Sequence, residues 1–146
     1  ADLSRHDRRE ISRAQKSAPQ VSGYTFDANI VIDALAGYPP ARVEIQRAAR
    51  NGARPWISRI AWIEVLSKGD DRVVSEAMAF LAHFGLDEID DEISSRAAAL
   101  RRDRPRLKSP DAIILATAQT RGRVLITRNI KDFPANMPGI RVPYTL

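Results

Sequence analysis

Tyr24-Thr25-Phe26-Asp27-Ala28-Asn29-Ile30-Val31-Ile32 turns from strand to helix around a single acid. Tyr24, Thr25 and Phe26 are aromatic and β-branched, as a buried strand prefers. The apolar residues over 29–36 suit a helix, closed by Gly37. Two other stretches repeat the oddity of one acid among apolar residues. Glu64 lies in Ile60-Ala61-Trp62-Ile63-Glu64-Val65-Leu66, and Asp111 opens Pro110-Asp111-Ala112-Ile113-Ile114-Leu115-Ala116. Carboxylates are seldom fully buried unless paired or metal-bound, because the charge loses its hydration. Three such acids in one small domain suggest groups gathered around a cation.

Working outward, short apolar runs alternate with helical patterns. Pro39-Pro40 starts a helix over about 41–50, with Asn51-Gly52 as its stop. Trp56-Ile57 reads as a short strand, and Ser58 caps a helix that runs to Ser67 and Gly69. Asp70 caps an amphipathic helix with Val73, Val74, Ala77, Phe80, Leu81 and Phe84 on one face. A weak strand follows over 86–89, then a helix from Asp90 or Asp91 to about Arg102. Ser109-Pro110 supplies an N-cap and first-turn proline for a helix ending at Gly122. Val124-Leu125-Ile126-Thr127 is a buried strand, and 141–144 an edge strand that tolerates Pro143. The fold class is α/β: a three-layer α/β/α sandwich around a mostly parallel sheet of four to five strands.

The 146 residues suit one domain with one core. Residues 1–22 differ, with Arg5, Arg8, Arg9, Arg13 and Lys16 but few large apolar side chains. They are expected to form a flexible basic extension, or an arm for RNA or a partner, ahead of a domain over 23–146. No apolar run approaches the roughly 20 residues of a membrane span. The absence of cysteine excludes thiolate metal sites and fits a reducing compartment, the cytoplasm. A net charge of +5, with acids placed in core segments, suits an anionic substrate handled through a metal.

In a doubly wound sheet, sites form beyond the carboxyl ends of the strands. Asp27 follows the first strand, Asp111 lies in the first turn of its helix, and Glu64 is about one and a half turns into its own. Thr127, Arg128 and Asn129 reach the same rim. Close carboxylates repel by roughly 4 kcal/mol per pair at an effective dielectric of 20, so some protonate or a divalent ion sits among them. An all-oxygen set suits Mg²⁺ or Mn²⁺. Each acid also has a plainer role. Asp27 can be a helix N-cap, Asp111 a first-turn helix acid, and Glu64 the partner of Arg59 or Arg42.

Four pieces in this order resemble the PIN-domain nucleases, and among them the small VapC-type toxins of bacterial toxin–antitoxin pairs. They are Phe26-Asp27-Ala28-Asn29-Ile30-Val31-Ile32-Asp33, Glu64-Val65-Leu66, Pro110-Asp111-Ala112-Ile113-Ile114 through Ala116-Thr117-Ala118, and Leu125-Ile126-Thr127-Arg128-Asn129-Ile130-Lys131-Asp132-Phe133. The resemblance covers about 23–144. It implies Asp27, Glu64 and Asp111 as ligands of Mg²⁺ or Mn²⁺, with Asn29 and Thr127 ordering ligands and water. Many members carry Asp where this chain has Asn129; others pair Asn there with an acid three residues on, here Asp132. Ala28 stands where the family usually has Thr. The resemblance further implies an endoribonuclease leaving a 5′-phosphate and a 3′-hydroxyl, a homodimer, and a cognate antitoxin.

The run Arg101-Arg102-Asp103-Arg104-Pro105-Arg106-Leu107-Lys108 is either a phosphate-guiding edge or a helix C-terminus with a solvated loop. Arg128 is expected at the substrate, Trp62 and Phe80 in core or dimer packing, and His83 in a structural place. Three rival readings remain: an RNA-processing PIN nuclease without antitoxin, a phosphorylatable receiver domain, and a catalytically silent RNA- or partner-binding module. The receiver reading lacks an acid pair at the first strand and a Lys after Val124-Leu125-Ile126-Thr127.

Overall fold

A computed structural model describes residues 23–50 and 53–146. The readings made on residues 1–22 and on Asn51-Gly52 lie outside the described residues. The chain runs β1 (Tyr24–Phe26), α1 (Ala28–Leu35), α2 (Pro39–Arg50), β2 (Pro55–Ser58), α3 (Arg59–Leu66) and α4 (Asp71–Leu81). It continues through β3 (Gly85–Asp87), α5 (Asp91–Asp103), α6 (Ser109–Thr120), β4 (Val124–Ile126) and β5 (Ile140–Arg141). The sheet has the order β3-β2-β1-β4-β5 and every pairing is parallel. Parallel neighbours need crossovers, which helices supply from β1 through β4 and the loop over 127–139 supplies from β4 to β5, giving the three-layer α/β/α sandwich that the alternation predicts.

β1 occupies the centre. Tyr24, Thr25 and Phe26 pair with Val124, Leu125 and Ile126 on one side, and β2 lies on the other. From β1 the chain builds outward through β2 to β3, then returns across β1 to place β4. That reversal puts the switch point of the sheet at the carboxyl ends of β1 and β4. Asp27 leaves the first and Thr127 the second, and the Asp27 amide donates to the Ile126 carbonyl at 2.9 Å.

The core explains why these strands stay central. Phe26, Ile30, Ile57, Ile93, Ile114, Leu125, Ile126 and Phe133 are all buried. Each such side chain contributes roughly 1.5–3 kcal/mol through the apolar surface it removes from water. Phe26 meets Phe84 edge-on, with ring centroids 6.0 Å apart. Trp62 and Phe80 are half-buried and pack on this core, as expected. Gly85 faces the Trp56 indole, where a Cβ would overlap the ring.

Ser58, Asp70 and Asp90 cap α3, α4 and α5, accepting from the amides of Ile60, Val73 and Ile93. Three expectations need correction. Ser109 is the first residue of α6, not its cap; Lys108 holds the cap position without a side-chain bond. β5 is Ile140–Arg141, ending before Pro143, which has no amide proton to extend a ladder. His83, expected in a structural place on the amphipathic helix, lies past the end of α4 and is exposed.

Candidate active site

Asp27 is the buried acid of the switch point, 4% exposed. The turn from β1 into α1 fixes its geometry. One carboxylate oxygen, Oδ1, accepts from the Ala28 amide at 2.8 Å and so caps α1. The other, Oδ2, accepts from the Thr127 hydroxyl at 2.8 Å and from the Asn29 side-chain amide at 3.3 Å. Thr127 Oγ1 in turn accepts from the Asn129 amide at 3.0 Å. The N-cap role and the site role therefore belong to one carboxylate. Asn29 and Thr127 stand where a supporting role for them requires.

Two further acids act on Asp27 or feel its charge, Glu64 and Asp111. Glu64 on α3 and Asp111 in the first turn of α6 are half-buried, less enclosed than their apolar sequence neighbours suggest. The faces of these helices explain why: Ile63 is 46% exposed, so the apolar run of α3 does not all enter the core. Among the described residues neither predicted arginine pairs with Glu64. Arg59 binds Glu88, and Arg42 donates to the Ala34 carbonyl at 3.0 Å.

The electrostatics tie these acids together. Burial pushes the Asp27 carboxyl up to about 6, its hydrogen bonds hold it back, and the Asp111 charge adds to the rise. Burial also raises Glu64, helped by the charges of Asp27 and Asp111. Asp111 rises through burial and then through Asp132. Each acid feels at least one of the others, and the opposing charges of Arg128 on Asp27 and Lys108 on Asp111 do not cancel the rise.

Asn129 and Asp132 form a reciprocal pair. The Asn129 side-chain amide donates to Asp132 Oδ2 at 2.9 Å, and the Asp132 amide donates to Asn129 Oδ1 at 3.3 Å. Asn129 thus spends its side chain on the loop. Asp132 keeps one carboxylate oxygen outside that bond.

Arg128, expected at the substrate, instead turns to Asp33. Its Nε and Nη2 donate to the two Asp33 oxygens at 2.6 and 3.2 Å, and the Tyr144 hydroxyl donates to Oδ2 at 2.7 Å. Burial raises Asp33, but these hydrogen bonds outweigh it and hold the carboxyl below its ordinary value. The sequence reading missed Asp33, and Glu44 with it. Glu44 is buried and accepts from Arg141 Nε at 2.6 Å and from Arg47 Nη2 at 2.7 Å. The available signal was Asp33 itself, which interrupts the apolar run from Ile30 to Ala36.

The donor set around Asp27 is all oxygen, which suits a hard ion such as Mg²⁺ or Mn²⁺. Among the described residues no three acids stand close enough to close a ligand set by themselves. A hard ion that keeps several waters needs only one or two carboxylates. The raised carboxyls indicate where its charge is wanted, so the residues present fit such an ion.

The family profile described as PIN domain matches residues 24–135. A chain from a toxin–antitoxin complex of Klebsiella pneumoniae is 38% identical, with a TM-score of 0.76 over 84% of this chain and 99% of that one. Chains from a VapBC complex of Salmonella typhimurium and from VapBC2 of Rickettsia felis share the fold. Both have TM-scores of 0.69, at 23% and 22% identity, over 84% and 81% of this chain and 96% and 95% of theirs. No curated protein matches the chain. Among the described residues no helix is long and apolar enough to cross a membrane. With the acids at the β1/β4 switch point and the profile spanning most of its length, the chain belongs to the PIN-domain family.

Proposed function

We propose that the chain is a divalent-metal-dependent endoribonuclease toxin, held in check by a cognate antitoxin and active as a homodimer. The observation that carries the chemistry is the Asp27 carboxyl. It is fixed by three hydrogen bonds at the switch point of the sheet, yet burial and Asp111 push it up to about 6. Such a group is poised to release its proton to water when a cation takes the proton's place. The 38% identity to a chain of a toxin–antitoxin complex supports the toxin reading.

A divalent ion bound here would supply an acidified water and a counter-charge for the phosphate. Asp27 would hold it, with Glu64 and Asp111 as ligands directly or through water. Asn29 and Thr127 keep Asp27 Oδ2 in one orientation, which limits the reorganisation left for the reaction. Asn129 fixes the loop that carries Asp132, leaving one Asp132 oxygen for a water or ion beside Asp111. Hydrolysis in line would leave a 5′-phosphate and a 3′-hydroxyl.

The test compares RNA cleavage by wild type, Asp27→Asn and Asp111→Asn, with Mn²⁺ and with chelator. Loss of cleavage in both variants and with chelator is expected. Cleavage untouched by all three would sink the mechanism. For the toxin reading, a small protein encoded beside this gene should co-purify with the chain and suppress its cleavage.

A further inference from the structure

The cations of this chain divide into two populations. Seven arginines of the described residues hold an acidic partner, among them Arg47 on Glu44, Arg59 on Glu88, Arg121 on Asp90 and Arg128 on Asp33. A second group gathers in one groove between the loop after α5 and the loop after β4. Arg104, Arg106, Lys108 and Lys131 line it with Asp132 as the sole acid, around a space of about 720 Å³. Among the described residues none of these four cations is in an ion pair. Four like charges gathered with a single acid are unfavourable to the free protein and favour an anionic ligand.

Two details place the groove against the acid site. Arg104 donates from Nη2 to the Asp132 carbonyl, a neutral acceptor that fixes the guanidinium without cancelling its charge; its Nη1 is buried without a protein acceptor. Lys108 lies just before α6, and its charge is the one that opposes the rise of Asp111. Asp132 belongs to both the groove and the acid set. A strand whose scissile phosphate sits at Asp27 and Asp111 would therefore pass its next phosphates over Arg104, Arg106 and Lys131.

We propose that this groove is a phosphate-binding subsite for single-stranded RNA, with Arg106 and Lys131 holding the backbone beside the bond to be cut. The assignment rests on the nuclease reading above for its substrate, but binding tests it apart from cleavage. The probe is a fluorescent single-stranded RNA oligonucleotide, titrated in chelator over a salt series. Arg106 and Lys131 are exposed, so Arg106→Gln with Lys131→Gln removes charge without disturbing the core. An equal charge change outside the groove lining, Arg50→Gln at the end of α2 with Arg72→Gln on α4, is the control.

The groove variant is expected to bind at least about tenfold more weakly, with its log–log salt slope lowered by about 1.4 for two lost phosphate contacts at about 0.7 each. In Mn²⁺ its KM should rise by the same factor while kcat holds, and the control should behave as wild type. Unchanged affinity and slope would overturn the subsite. So would an equal loss in the control, since net charge alone would then set binding. Polyglutamate competing as well as RNA, and equally weakened by the groove substitutions, would also overturn it by assigning the groove to an acidic protein segment. Wild type that binds RNA through the groove but never cuts it would remove the nuclease reading and keep the subsite. Wild type that cuts while the groove variant binds normally would do the reverse.

Discussion

Asp27 caps a helix, anchors the junction of β1 with β4 and carries an unfavourable charge. Its carboxyl titrates near 6 against an ordinary value of 3.8, and the sign of the consequence follows. An acid whose folded-state value is raised destabilises the fold when ionised. The penalty is absent below about pH 4, grows between 4 and 6, and is complete above 6, where a shift of this size amounts to about 3 kcal/mol. In chelator, wild type should lose stability relative to Asp27→Asn as pH rises from 4.5 to 7, read from urea midpoints at both values. A constant gap between the two proteins would show that the carboxyl is not raised. Thr127 tests orientation at the same site. Thr127→Val keeps the shape of the side chain but removes the donor to Asp27 Oδ2. Divalent-ion affinity by calorimetry should fall about 10–100-fold, the usual effect of losing a group that orients a ligand; an unchanged affinity would count against Asp27 as a ligand.

At the scale of elements, three of the four helix caps read from local sequence match the structure, Ser109 being the exception. Ser58, Asp70 and Asp90 cap the helices they precede, because a short polar side chain ahead of an apolar period satisfies amides within three residues. The order β3-β2-β1-β4-β5 was not legible, since alternation of strands and helices leaves open which strand lies beside which. The partners of Arg128 were lost for the same reason. Asp33 is 95 residues from it and Tyr144 is 111 residues from Asp33, and only the folded sheet brings them together. Segments that are apolar throughout mislead differently. Glu64 and Asp111 looked as enclosed as Asp27, but a run without polar periodicity does not show which face meets solvent. The Asp33 cluster joins α1 to the loop after β4 and to the C-terminal residues. Asp33→Asn should cost about 1.5–3 kcal/mol at pH 7, as charge-assisted hydrogen bonds do. Because this carboxyl is held low, its contribution is present above the ordinary 3.8 and lost as pH falls below it. The gap between variant and wild type in urea should therefore close in acid, and a gap that persists there would mean that packing, not charge, sets the cost.

Over the whole molecule, acids are sorted by partner. Asp33 and Glu44 are buried against arginines and held low, and both stabilise the fold at neutral pH. Asp27, Glu64 and Asp111 are raised by burial and by the charge of neighbouring acids at the rim of the sheet, and they oppose it. Arg128 could have neutralised the rim, yet its guanidinium is committed to Asp33. The protein thus keeps a local excess of negative charge beside a groove of unpaired cations, an arrangement that gains when a divalent ion and an anionic strand arrive together. Stability should then depend on the ion by mass action. At a concentration 100 times its dissociation constant, Mg²⁺ or Mn²⁺ should stabilise the fold by about 2.7 kcal/mol at pH 7.5, near a 10 °C rise in melting temperature for a domain of this size. The rise should vanish in Asp27→Asn, where the raised carboxyl is gone. It should also shrink below pH 6, where a proton already occupies that carboxyl in wild type. The Asp33→Asn protein should melt lower but keep the full rise, because its loss lies outside the rim. Thermal unfolding of the three proteins with the ion and with chelator separates these cases. An equal rise in wild type and Asp27→Asn would place the ion elsewhere.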